Sequence, residues 1–530
     1  MITLKKPYGI YPLNAKVTFE QPVEQSLIDR GLAALTTDTT GQYVFPPTPA
    51  NIPLSVTAGT DGNYAGTEQS ANLKILAVKP YRPFCEIDAG KYLVTDDAHS
   101  NYVKQLSVYT GDIVAGDGTF SAMISTFNWN NYATYGPDER LFGAAGEEIG
   151  GGDSAIQQVW KLSTGTYLMM GQSSEVDSES KTGKRYLHRL SKSPDFKVGT
   201  IDGLNNRFAS LNFGSMTSKE PAVTNIHALH QRSLCDAKVG ASRKIIVAEY
   251  NVASNRITAG KDQVTAWISV DDGCSFKRLI RFNTNGTHEV DHFHAVVQNP
   301  HTGIIYFLTG DEGTENCIIS WDGVSPAPVH YKGNVRDDNG GSTTLAALAA
   351  TPGWTVSSGN ELRRFGDLVF MPDGRIVGLP DSDNNPEQNA FAACAIDPSL
   401  RWVASGKKFT RIKDICPLIA LRCTNGALIY GSLRTQGTAT ADEPYHHFWT
   451  SVDGETWYFA AKVKNQRLVD KETVPRTANV LDLWQDSKGN VIAGVTGGRG
   501  ASYGGLNTGA SCVIFQPTII YGPPLLTKDV

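Results

Sequence analysis

Three absences narrow this sequence before any motif is read. No run of 18 apolar residues occurs anywhere, so no segment has the character of a membrane-crossing helix and membrane insertion is not expected. No basic run exceeds a few residues and the net charge is −5, so the electrostatic footprint that nucleic acid requires is missing. The opening Met1-Ile2-Thr3-Leu4-Lys5-Lys6-Pro7 holds no apolar secretory core, which predicts a protein made in a cytoplasm and not exported by a standard signal. Methionine is scarce, at six residues, and the eight cysteines (Cys85, Cys235, Cys274, Cys317, Cys394, Cys416, Cys423, Cys512) form no Cys-x-x-Cys pair. Their scatter over 530 residues argues against a zinc site and against a disulfide framework, and neither metal nor cofactor is expected.

What the chain has in abundance is glycine, at 52 residues, with tyrosine and phenylalanine at 20 each. That mixture suits short strands and tight turns, and the fold class read from it is all-β. One unit recurs: an apolar strand, a turn, then a second apolar strand ending in polar residues. The turn and second strand read Gly90-Lys91-Tyr92-Leu93-Val94, Gly165-Thr166-Tyr167-Leu168-Met169, Ser242-Arg243-Lys244-Ile245-Ile246-Val247 and Gly303-Ile304-Ile305-Tyr306-Phe307. Gly374-Arg375-Ile376-Val377, Gly426-Ala427-Leu428-Ile429-Tyr430 and Gly489-Asn490-Val491-Ile492-Ala493 continue the series. From Gly90 to Gly489 there are 399 residues, six intervals of about 66, the size of a propeller blade with generous loops.

Each turn is preceded by a nearly continuous apolar run, such as Phe293-His294-Ala295-Val296-Val297 or Val480-Leu481-Asp482-Leu483-Trp484. Such runs suit strands buried on both faces. Third strands follow, as in His447-Phe448-Trp449-Thr450-Ser451, and fourth strands, as in Trp457-Tyr458-Phe459-Ala460-Ala461. Two third-to-fourth turns share a pattern. Ser269-Val270-Asp271-Asp272-Gly273-Cys274-Ser275-Phe276 reads Ser-x-Asp-x-Gly-x-x-aromatic, and Ser451-Val452-Asp453-Gly454-Glu455-Thr456-Trp457 is one residue shorter. Weaker versions are Ser320-Trp321-Asp322-Gly323 and Ser191-Lys192-Ser193-Pro194-Asp195-Phe196.

These turns resemble the Asp-box, or BNR repeat, of sialidase-like β-propellers. The resemblance implies a six- or seven-bladed propeller of four-stranded blades, spanning 76–530. It also implies a structural role for Ser269, Asp271, Gly273, Phe276, Ser451, Asp453, Gly454 and Trp457: oxygens that accept backbone N–H groups, a glycine with positive φ, and a packed ring.

Residues 1–75 lack the repeat. Pro22 to Leu35 places Leu27, Ile28, Leu32 and Leu35 at helical spacing after a proline and an acidic turn, which predicts a short amphipathic helix. Phe45-Pro46-Pro47-Thr48-Pro49 would be extended. A small N-terminal attachment segment before a β-rich body resembles bacteriophage tail and virion adhesins. That implies residence in a virion, with other virion proteins as partners of residues 1–75, and is compatible with a homo-oligomer. Leu73-Lys74-Ile75-Leu76-Ala77-Val78 or Ile519-Ile520-Tyr521-Gly522 could complete a blade and close the ring.

In a propeller the second-to-third and fourth-to-first loops share one face and the Asp-box turns lie on the other. The loop face would carry Asp96-Asp97-Ala98-His99-Ser100, Ser173-Ser174-Glu175-Val176-Asp177, Asp311-Glu312-Gly313, Asp381-Ser382-Asp383 and Arg499-Gly500-Ala501-Ser502-Tyr503. Carboxylates, amides and rings suit sugar hydroxyls and sugar faces. Asp311, Glu312, Asp381, Asp383, Arg499 and Tyr503 are the binding candidates there. His292 and His294, at the start of an inner strand, should point the same way toward the channel. With no third ligand they read as structural histidines or as a contact for a ligand, not as a metal site.

Tyr81-Arg82-Pro83 resembles part of the sialidase motif whose arginine grips a substrate carboxylate. Here the isoleucine of that motif is missing. Thr95-Asp96-Asp97 stands where the family offers a second arginine, and neither the arginine triad nor the Tyr–Glu pair can be assigned. Arg82, Asp97 and Arg364 (or its neighbour Arg363) are the catalytic candidates. The leading expectation is therefore a tail-associated propeller that binds a host-surface glycan without hydrolysing it. A sialidase-like hydrolase or polysaccharide depolymerase using paired carboxylates is the alternative. A structural collar, hub or decoration protein of the virion is the third reading.

Overall fold

The computed structural model describes residues 73–79, 81–96, 105–122, 155–176, 183–190, 231–249, 263–273, 276–283, 289–310, 313–328, 342–357, 364–371, 376–380, 415–434, 445–451, 457–464, 480–495 and 511–517. It also describes short pieces at 2–4, 16–17, 33–35, 52–53, 68–69, 210–211, 331–332, 335–336, 394–396 and 402–404. The fold is all-β, a β-propeller of four-stranded antiparallel blades, and helix is confined among the described residues to Leu345–Ala349 and two 3-10 turns.

Five sheets are four-stranded blades, each cut from one stretch of chain, rather than the six or seven expected. They begin with the strands Arg82–Asp88, Ala155–Lys161, Leu234–Val239, His292–Gln298 and Phe365–Phe370. The two sheets beginning with Ile415–Arg422 and Val480–Gln485 are composite. The latter has three strands of its own and takes Leu73–Lys79 as its fourth, paired from Cys512↔Lys79 to Pro517↔Leu73. The former has four strands and adds Glu68–Gln69 and Ile52–Pro53 at its outer edge, giving six. The discrepancy arises because a repeat count follows turns along the chain, whereas these sheets recruit strands from far upstream.

The predicted helix is also corrected at its end. Ala33–Leu35 is a strand paired with Ile2–Leu4, which in turn pairs with Lys16–Val17; the remainder of 22–32 lies outside the described residues. A helix of this length is marginal without a packing partner, and strand pairing prevails.

First strands pack on one another in five successive pairs, Arg82–Asp88 with Ala155–Lys161 and then from Leu234–Val239 through His292–Gln298, Phe365–Phe370 and Ile415–Arg422 to Val480–Gln485, and line the central channel. Both of their faces are covered, as the unbroken burial of His292–Val297 and Phe365–Phe370 requires. Apolar clusters then weld neighbouring sheets. Phe282, Phe293, Phe307, Trp321 and Trp354 join two of them, and Tyr92, Tyr109, Ile492 and Ile514 join the first blade to the last sheet.

The first-to-second strand pairing breaks register at one recurrent level in six sheets: between Pro83/Cys85, Ile156/Gln158, Phe293/Ala295, Phe365/Asp367, Pro417/Ile419 and Val480/Asp482. The pair Leu234–Val239 with Ser242–Ala248 stays regular. An inserted residue twists the strand and re-aims the side chains around it. This level of the channel is where the buried polar groups gather.

At the hairpin end a second device recurs. A side chain of one first strand accepts the backbone N–H of the residue two before the hairpin glycine in the preceding sheet. Asp236 takes Ser163 N at 2.6 Å, Gln298 takes Lys238 N at 2.9 Å, Gln485 takes Thr424 N at 2.8 Å, and Glu86 takes Ser487 N at 2.6 Å. The last of these spans the join between the two ends of the repeat. Gly165 and Gly489 close these hairpins with φ of 84°, a conformation an L side chain resists. Each such bond contributes about 0.5–1.5 kcal/mol, more where the acceptor is ionised.

Candidate functional site: the central channel

Two aspartates interrupt otherwise apolar first strands, and each follows a bulge: Asp367 and Asp482, both without solvent exposure. A buried carboxylate needs a partner. Arg232, in the 3-10 turn Gln231–Ser233, reaches across the channel, donating from Nε to Asp367 Oδ2 at 2.8 Å and from Nη2 to the Ala420 carbonyl. Asp367 also accepts Ala420 N at 2.9 Å and Leu368 N at 2.8 Å. Burial pushes its carboxyl above the ordinary carboxylate value; Arg232 and the two amides act in the opposite direction without cancelling it.

Asp482 is held by Arg82, whose Nε donates to Oδ2 while Nη2 donates to Gln158 Oε1 at 2.5 Å. The guanidinium lies 4.7 Å from the centre of the Phe84 ring. Asp482 Oδ1 and Gln158 Nε2 have no hydrogen-bond partner among the described residues. Gly494, directly opposite Asp482, leaves no room for a side chain: a Cβ there would stand 2.6 Å from Asp482 Oδ2 and 3.0 Å from Arg82 Nε.

His292 and His294 stand at the same level, fully buried and 3% exposed respectively. Their ring centres are 4.8 Å apart. His292 Nδ1 bonds Asp291 Oδ2 at 2.8 Å, and His294 Nδ1 bonds the carbonyl of Phe365 on the next blade at 3.0 Å. Gly310 gives the His294 ring its space, since a Cβ there would meet Cε1 at 2.2 Å. The His294 imidazole thus bridges two blades. Nearby, Glu249 accepts Thr265 N at 2.9 Å and Trp267 Nε1 at 2.8 Å, and Arg281 Nε donates to Thr265 Oγ1 at 3.0 Å.

Toward the hairpin end lies a cavity of about 450 Å3, walled by Leu234, Val296, Val297, Leu368, Val369 and Phe370 and lined also by Arg232, Asp236, His301 and Arg422. No group of three or more histidine, cysteine or acidic side chains arranged for a metal occurs among the described residues.

Of the remaining candidates, Arg364 stands half-buried just before the Phe365–Phe370 strand. Asp97, Asp311, Glu312, Asp381, Asp383, Arg499 and Tyr503 lie outside the described residues. Arg82 is 2% exposed, and its Nε and Nη2 donors are engaged by Asp482 and Gln158.

At the Asp-box, Ser269 Oγ accepts Gly273 N at 2.9 Å and donates to Asp271 Oδ1 at 2.7 Å, while Phe276 is buried among Trp160, Leu162 and Leu168 of the neighbouring blade. Ser451 is buried, Trp457 opens the strand Trp457–Lys464, and Asp453 and Gly454 lie outside the described residues. Sequence reasoning passed over Asp272. Its carboxylate takes the Thr164 and Thr166 hydroxyls at 2.7 and 2.6 Å and Arg243 Nη1 at 2.5 Å, tying two blades together. It also passed over Asp367, Asp482, Gln158 and Arg232. The available signal was a lone charge within each apolar run, Gly366-Asp367-Leu368 and Leu481-Asp482-Leu483.

No family model and no curated protein matches the chain. Solved structures that it resembles include a protein of unknown function from Dyadobacter fermentans, at 13% identity and a TM-score of 0.36 over 85% of this chain and 96% of that one. A xyloglucanase from Xanthomonas campestris shares 13% identity at a TM-score of 0.40, over 80% of this chain and 52% of that one, so the chain spans about half its length. A Hadza microbial sialidase shares 11% identity at a TM-score of 0.35, over 68% and 65%. Likeness of this order carries no inference about activity.

Proposed function

We propose that the protein is a glycan-binding β-propeller that does not hydrolyse what it binds. The observation that carries this is the engagement of Arg82. The guanidinium that a sialidase-like site would offer to a substrate carboxylate is buried and bound to Asp482 and Gln158. A group already paired in low dielectric cannot be withdrawn without leaving a buried charge alone. Recognition then falls to the loop face, whose Asp311, Glu312, Asp381, Asp383, Arg499 and Tyr503 have the donor, acceptor and ring chemistry for sugar hydroxyls. The part of residues 1–75 that precedes the strands Ile52–Pro53, Glu68–Gln69 and Leu73–Lys79 would fasten the propeller to a larger particle, of which a phage virion is the reading its layout suggests.

The test is a glycan array run with the full chain, paired with a reducing-sugar release assay on every glycan that binds. Saturable binding without release is expected, and Asp381→Ala with Asp383→Ala should weaken it. Release of reducing sugar would overturn the non-hydrolytic reading, and binding to no glycan would overturn the carbohydrate reading.

A further inference from the structure

Three sheets meet at Arg82: its own blade, the second blade through Gln158, and the last sheet through Asp482. Each enters the junction at a bulge, between Pro83/Cys85, Ile156/Gln158 and Val480/Asp482. The guanidinium satisfies half of each partner. Its Nε donates to Asp482 Oδ2 and its Nη2 to Gln158 Oε1, while Asp482 Oδ1 and Gln158 Nε2 have no hydrogen-bond partner among the described residues. Asp367, at the same level of the channel, has both oxygens met, by Arg232 and by the amides of Leu368 and Ala420. The two unmatched atoms belong to side chains with no solvent exposure, so bulk solvent does not serve them and each counts against the folded state.

We infer that one buried water molecule bridges Asp482 Oδ1 and Gln158 Nε2, making Arg82, Asp482 and Gln158 a closed unit across the join between the two ends of the repeat. The chemistry of the two atoms selects the guest. Arg82 Nη2 donates only to an oxygen, which fixes the Gln158 amide with its Nε2 as a donor turned away from the guanidinium. Asp482 Oδ1 is an acceptor. Nε and Nη2 are neighbouring donors of one guanidinium, so the two side chains stand side by side on it. A cation placed between them would be repelled by the guanidinium and an anion by the carboxylate. An apolar group would leave both atoms unmatched. What remains is a neutral molecule with a hydrogen to give and a lone pair to offer.

Space decides between water and a larger hydroxyl compound. Gln158 and Asp482 are fully buried and Arg82 is 2% exposed. Gly494 stands so close to Asp482 Oδ2 and Arg82 Nε that even a methyl group would collide with them. The 450 Å3 cavity has none of the three side chains in its lining. Two polar partners are the minimum that a buried water needs, and immobilising one costs less than leaving two buried polar atoms unmatched.

A high-resolution crystal structure of the full chain, with a neutron map from the same crystals, tests this. One oxygen is expected about 2.5–3.0 Å from Asp482 Oδ1 and about 2.7–3.2 Å from Gln158 Nε2, with one of its hydrogens directed at Oδ1. Gln158→Met removes the donor and should lose that oxygen from the map. No density between the two atoms, a direct bond between the Asp482 and Gln158 side chains, an ion in place of the water, or the same water retained in folded Gln158→Met would each overturn the proposal. Should the variant fail to fold, the wild-type maps decide alone.

Discussion

Asp367 and Asp482 occupy the same bulged level of the channel and each is gripped by an arginine, yet their surroundings differ. Asp367 collects three donors: Arg232 and the amides of Leu368 and Ala420. Asp482 relies on Arg82, with Oδ1 unmatched among the described residues, and Arg82 divides itself between Asp482 and Gln158. The first pair is a closed unit in which backbone shares the load. The second concentrates its load on one side chain that joins three sheets. A buried charge is thus tolerated in two ways within one ring, by distribution or by dependence on a single partner.

Removing each arginine in turn should separate the two pairs most clearly. Arg82→Met leaves Asp482 buried without its cation and should cost about 3–5 kcal/mol, read as a fall in the midpoint of urea unfolding. Arg232→Met should cost less by about 1–3 kcal/mol, because Asp367 keeps two amide donors. Equal losses would show that the amides carry no share.

Gly494→Ala ranks next. Asp482 faces a glycine and Asp367 faces Leu379, so crowding is specific to the Arg82 pair. The added methyl meets Asp482 Oδ2 and Arg82 Nε and should cost about 1–3 kcal/mol. That loss should shrink in an Arg82→Met background, which a double-mutant cycle measures.

The smallest effect concerns pH. Burial raises the Asp367 carboxyl, so between its ordinary value and the raised one the folded state holds a proton that the unfolded state has released. Stability from this group therefore falls as pH rises through that window, by at most about 1.4 kcal/mol per pH unit. Asp367→Asn should remove that component from the acid-side stability profile, and an unchanged slope would refute it.

Much of the scaffold was legible because its signals are local. Glycine turns such as Gly165 and Gly489, and apolar runs such as Val480 to Trp484, mark strands within a few residues of themselves. The Ser269–Phe276 turn likewise announces its own hydrogen bonds. The channel was not legible, because its partners are remote: Arg82 meets Asp482 across 400 positions and Arg232 meets Asp367 across 135. The bulges that aim these side chains leave no mark in composition. The end of the predicted helix missed for the same reason, since Ala33–Leu35 is defined by its pairing with Ile2–Leu4, whereas the apolar run Leu73–Val78, read as a strand able to complete a blade, does pair with Ser511–Pro517.

The pairing of Leu73–Lys79 with Ser511–Pro517 also sets a clock. From Leu73 to Cys512 the ribosome must add 439 residues, which at ~5–20 residues per second takes on the order of a minute. Throughout that interval an apolar strand waits with its backbone edge unpaired, the state most prone to pairing with a wrong partner. The seam that joins the two ends of the repeat is also the last of these pairings that synthesis can complete.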